Sequence, residues 1–151
     1  MNGPAIIEDP EAYVAEMADA YIEAAIWSDI STDDEDAEMG CDNPSEYADL
    51  LDAGSRAAAV AYVAAFAVAN RDDLAAIAEM NGDRAEWTDA SLAGHDLYLT
   101  GAGHGAGFWD RGYGDAGDRL SEACKYQSES AHPYVGDDGR VYIDGLTAVS
   151  A

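Results

Sequence analysis

Apolar residues recur at three- and four-residue spacing through Val14, Met17, Tyr21 and Ala24 or Ala25, and Tyr13, Ala20 and Trp27 widen the stripe; this predicts an amphipathic helix. Its start falls near Asp9, with Pro10 at the first helical position where a missing N–H costs nothing, and its end near Trp27. Glu16, Asp19 and Glu23 share the opposite face, with Cβ atoms of neighbours about 5 to 6 Å apart. No Lys relieves them, so this helix is expected to rely on its apolar side. Ser28 to Pro44 reads as a loop. It contains Asp33, Asp34, Glu35, Asp36 and Glu38, five carboxylates in six residues, a self-repelling run that stays solvated. A second helix or helix pair is predicted over Ser45 to about Met80, with Ser45 as N-cap and a break near Gly54–Ser55. Its middle, the thirteen residues Ala57 to Ala69, is apolar nearly all round and is expected at the centre of the core. A break at Asn70 to Asp73 begins a third helical piece through Ile77, and Asn81–Gly82–Asp83 ends the helical part.

The pattern changes after Gly94. His95 to Thr100 alternates polar and apolar residues and predicts a strand; Gly101 to Gly107 is a loop; Phe108–Trp109–Asp110 returns as a second strand. A short helix follows from Asp115 to about Tyr126, with Leu120, Ala123 and Cys124 or Tyr126 inward. The chain then forms a hairpin: Tyr134–Val135, a turn over Gly136 to Gly139, and Arg140 to Ile143, with Asp138–Gly139 supplying positive-φ turn chemistry. The expected fold is α+β in a single domain, residues 1–151. An acidic helical part of two to four helices (1–93) packs on a small antiparallel sheet from the glycine- and aromatic-rich β-α-β-hairpin part (94–151).

Charge sharpens this division. The 151 residues carry 31 Asp plus Glu against 7 Lys plus Arg, a formal charge of −24. Phosphate-backbone binding by counterion release needs cations, and an anionic membrane repels such a chain, so ordinary nucleic-acid and lipid binders are excluded. Hydrophobic content of 48% is nevertheless globular composition. The first Lys or Arg is Arg56, and 16 carboxylates lie between Glu8 and Asp52. Residues 1–93 carry a net −19 and residues 94–151 a net −5. At the density of the latter, the former would hold only about −8, so the excess is concentrated; a solvated face serving solubility or adaptation to salt, consistent with one Lys against six Arg, is the alternative to a binding role. Met1 to Glu11 contains no Lys or Arg, so neither a secretory leader nor a transit peptide is expected, and the protein is expected to be soluble and cytoplasmic. Cys41 and Cys124 form neither a disulfide framework nor a metal set.

Candidate chemistry is sparse. Gly101, Gly103 and Ala106 fit the spacing of a dinucleotide fingerprint, but no helix follows and no βαβ unit surrounds them. His95, His104 and His132 are the only histidines, and none shows ligand spacing on one element. His104 stands near Trp109, Asp110 and Arg111, where a buried Asp–Arg pair with His stacked on Trp is the structural reading and a general acid and base the catalytic one. No nucleophile with an adjacent base is identified, and no catalytic residue, metal or cofactor is expected.

The run Gly103-His104-Gly105-Ala106-Gly107-Phe108-Trp109-Asp110-Arg111-Gly112, followed by Gly117-Asp118-Arg119-Leu120 and Tyr134-Val135-Gly136-Asp137-Asp138-Gly139, resembles an uncharacterised family of small proteins encoded by bacteriophages and integrative mobile elements. The resemblance covers about the last third of the chain. It implies a source more than a mechanism. Gly101–Ala102 departs from the Arg-Asn that relatives often have, which removes a cation from that turn.

Such genomes often encode proteins that occupy the DNA-binding groove of a host defence enzyme, which gives the acidity a meaning. Duplex DNA carries one charge per about 1.7 Å of axis, so 24 charges correspond to about 40 Å of duplex, close to the diameter of a compact domain of this size. The leading expectation is therefore a DNA mimic that inhibits a basic host restriction enzyme, CRISPR effector or nuclease and is not itself an enzyme. Its binding residues would be Glu16, Asp19, Glu23, Asp33, Asp34, Glu35, Asp36 and Glu38. Two alternatives stand beside it: a small enzyme or ligand-binding module at the loop of His104, Phe108, Trp109, Asp110 and Arg111, and a virion or assembly component.

Overall fold

The Asp9 carboxylate accepts a 3.3 Å hydrogen bond from the Ala12 N–H, and Pro10 follows in the first turn, so the longest helix begins where its pattern places it. In the computed structural model, which describes residues 5–31, 41, 43–81, 88–102, 107–108, 111–124 and 132–144, a single turn, α1 (Ala5–Glu8), precedes this helix, α2 (Pro10–Asp29). Then come α3 (Pro44–Ala48), α4 (Ala53–Ala69), α5 (Arg71–Asn81), α6 (Asp89–Gly101) and α7 (Asp115–Cys124). The hairpin β1 (His132–Val135) and β2 (Val141–Asp144) closes the order, antiparallel, with Tyr134 opposite Tyr142. The class is α+β, with helices packed on a small two-stranded sheet.

The strand expected at His95 to Thr100 is instead the second half of α6. Thr88 starts that helix with a capping box: its hydroxyl accepts from the Ser91 N–H at 3.1 Å, and the Ser91 hydroxyl accepts from the Thr88 N–H at 3.0 Å. From Leu92 to Gly101 every residue but His95 is buried, so no polar face marks the helical period. Gly94 lets α6 lie directly on α2: a Cβ there would stand 2.1 Å from the Met17 carbonyl oxygen. Phe108 lies outside any strand, and Trp109 and Asp110 lie outside the described residues.

The α2–α6 pair, rather than Ala57 to Ala69, forms the middle of the molecule. In α4 only Ala59, Tyr62, Val63, Phe66 and Ala67 are buried, and Val68 is 79% exposed. Tyr21 of α2 joins the layers, its ring 5.6 Å from Tyr62 of α4 and 5.4 Å from Tyr98 of α6. The Tyr98 hydroxyl donates to the Asp29 carboxylate, and burial first, then this bond, raises its pKa far above the ordinary value. The break before α4 falls at Asp49 to Asp52 rather than at Gly54–Ser55, because Asp52 caps α4 by accepting from the Ser55 N–H at 3.1 Å. Ser45 is not a cap either: α3 starts one residue earlier, at Pro44, with Asn43 in the cap position.

A two-stranded hairpin is marginal alone. Here both edges are occupied. Ser31, just past α2, donates to the Pro133 carbonyl and accepts from the Val135 N–H, each at 3.0 Å. On the other edge the Val141 N–H donates to Leu50 at 2.9 Å and the Asp52 N–H to Val141 at 2.8 Å. Gly139 takes φ +81°, as the turn requires. No described helix is long and apolar enough to cross a membrane.

Candidate functional site

Residues 16, 19 and 23 fall within about 60° of one another around an α-helix, and on α2 all three side chains are exposed while the opposite side of the helix is buried. The face is not left to self-repulsion. Arg56 of α4 donates to Asp19 at 3.1 Å, an exposed pair of the kind worth about 0–1 kcal/mol, and the Thr88 hydroxyl donates to Glu16. The relief that the sequence lacked locally thus comes from Arg56, 37 residues away. Asp33, Asp34, Glu35, Asp36 and Glu38 lie outside the described residues.

Glu23 borders a cavity of about 400 Å³ between α2, α6 and the start of α3. Ala20, Ala24 and Pro44 give it apolar walls, and Trp27 and His95 stand in it with ring centroids 5.9 Å apart and planes inclined at 37°. Trp27 is 50% exposed and does not widen the buried stripe. Burial lowers the His95 pKa below the ordinary 6.5 more than neighbouring Asp96 restores it, so the imidazole is neutral at pH 7.

Two residues that follow the glycines in sequence, Phe108 and Arg111, are hydrogen-bonded to α6. Phe108 is fully buried, stacked on Phe66 with centroids 6.2 Å apart, and its N–H donates to the Thr100 hydroxyl at 3.1 Å. Arg111 closes on Asp96 through two 2.8 Å hydrogen bonds. An Asp–Arg pair and a His–Trp ring contact both exist, then, but as Asp96–Arg111 and His95–Trp27. His104, Trp109 and Asp110, the remaining members of the expected cluster, lie outside the described residues. His132 stands apart on β1, within 2.9 Å of the Ser31 hydroxyl. Among the described residues no group of three His, Cys, Asp or Glu side chains could hold a metal ion.

The sequence pattern puts Trp27 on the buried stripe and His95 and Asp96 on a strand, and so does not bring these residues together at one site. The spacing of Glu23 and Trp27, four apart on one helix, was available as a signal; the approach of α6 was not, because its segment reads as a strand. No family model matches the chain, and no curated protein or solved structure matches it.

Proposed function

We propose that the chain is a counter-defence protein of a phage or mobile element, acting in the host cytoplasm as an acidic DNA mimic. It binds a basic host complex, a restriction enzyme, CRISPR effector or nuclease, where duplex DNA would lie. The observation that carries this reading is the exposed face of Glu16, Asp19 and Glu23 on α2, a helix held rigid by the burial of its other side. Their spacings along the helix axis, about 4.5 and 6 Å, are wider than the roughly 3.4 Å per phosphate along one DNA strand but of the same order. A long-range field from a net −24 chain steers a Lys- and Arg-lined groove toward this face. Among the described loop residues, Phe108 and Arg111 are engaged in packing and ion pairing, which favours a structural role for them. The reading is tested by immobilising the chain and challenging it with host lysate at low and high salt. Capture of a DNA-binding complex that is released by salt and by competing duplex supports it; capture indifferent to both removes it.

A further inference from the structure

We infer that the cavity between α2, α6 and the start of α3 receives an arginine side chain of the basic partner, its guanidinium lying on the Trp27 indole and against the Glu23 carboxylate. This rests on the partner being basic, as proposed above, and adds which chemistry it presents at one point of contact.

Glu23 and Trp27 stand four residues apart on α2, the spacing that makes side chains neighbours on one helical face. Trp27 leaves half its surface in water at the mouth of a concave site, and Trp, with Tyr and Arg, is enriched among the anchor residues of protein interfaces. The ring contact with His95 at 5.9 Å fixes the indole from the α6 side. A cation over an indole face gains electrostatic attraction, and a carboxylate beside it supplies the counter-charge. The neutral imidazole of His95 adds no competing positive charge. Ala20, Ala24 and Pro44 match the aliphatic stem of a long basic side chain, which buries its methylenes while its head stays polar. A volume of about 400 Å³ leaves room for an inserted arginine side chain. Arginine fits better than lysine, because the planar guanidinium stacks on aromatic faces and gives up its hydration more readily than an ammonium.

The test titrates the full chain, isotopically labelled for NMR, with a capped Gly-Arg-Gly peptide and its lysine and citrulline counterparts. The arginine peptide is expected to give saturable shifts at the Trp27 indole N–H and the His95 amide. Affinity should fall about tenfold in Glu23→Gln and in Trp27→Ala, and citrulline should give no shifts. Equal shifts with citrulline, unchanged affinity in both variants, or shifts spread evenly over the acidic surface with lysine equal to arginine would each overturn the inference. Glu23→Gln keeps the shape of an exposed side chain, and an unchanged amide spectrum shows that its loss of binding is not unfolding. Because the peptide replaces the host partner, the two proposals fail separately: no arginine binding with salt-sensitive host capture intact removes the cavity inference alone, and arginine binding without host capture removes the mimic alone.

Discussion

Arg111 holds Asp96 in a two-pronged grip, with both hydrogen bonds at 2.8 Å and the Asp96 side chain only 1% exposed. The pair ties the segment after the glycine-rich loop to the middle of α6. Removing the guanidinium leaves a carboxylate in the core without its counter-charge. Arg111→Ala should therefore cost about 3 kcal/mol, and adding Asp96→Ala to it should recover part of that loss. Urea unfolding of the single and double variants measures both; additive losses would show that the pair is not coupled.

Gly94→Ala sets helix propensity against space. Ala favours a helix by about 1 kcal/mol over Gly, but here its methyl would meet the Met17 carbonyl oxygen at 2.1 Å and the Ala20 Cβ at 3.0 Å, so α6 must lift off α2. A net loss of about 2 kcal/mol, roughly 5 °C in Tm, is expected by thermal unfolding. A rise in Tm would contradict the close approach.

His95 gives the stability a pH dependence of known sign. Its folded pKa lies below 6.5, chiefly through burial, so as pH falls through 6.5 the unfolded chain takes up the proton first and the folded state loses stability. Below the folded pKa the loss is complete. Comparing wild type with His95→Asn at pH 8 and at pH 5.5 isolates the effect: relative to the variant, the wild type should be less stable at the lower pH than at the higher.

The two thiols should react in order. Burial pushes the Cys124 pKa up to about 12 from an ordinary 9.0, which reduces its thiolate at pH 8 about a thousandfold, while Cys41 is half-buried. Alkylation followed by mass spectrometry should label Cys41 first and Cys124 at least about a hundredfold more slowly until the chain is unfolded.

These contacts mark where the sequence is legible. α2 could be read because a cap, a proline and a one-sided apolar stripe agree, and the hairpin because Asp138–Gly139 sits between alternating segments. The helix α6 could not be read as a helix. Its last ten residues are buried but for His95, and its two polar interior groups, Asp96 and Thr100, are satisfied by Arg111 and by the Phe108 N–H, both later in the chain. A short window of alternating residues then imitates a strand. Ala57 to Ala69 misled in the opposite sense. Small apolar residues such as Ala57 and Ala61 tolerate exposure, so an all-apolar run need not be central. Of the candidate site, the carboxylate face of α2 follows from helical spacing alone, whereas the meeting of Trp27 with His95 depends on tertiary packing.

The proposed mimicry rests on charge presented along α2. The most direct measurement is competition: a host DNA-binding complex captured by the chain is challenged with duplex DNA across a salt series, using wild type and the triple variant Glu16→Gln, Asp19→Gln, Glu23→Gln. Binding should weaken linearly in the logarithm of salt concentration, be displaced by duplex, and show a shallower salt slope in the variant. Binding by the triple variant with the wild-type affinity and slope, or a ternary complex that keeps both the chain and the duplex bound, would contradict the account.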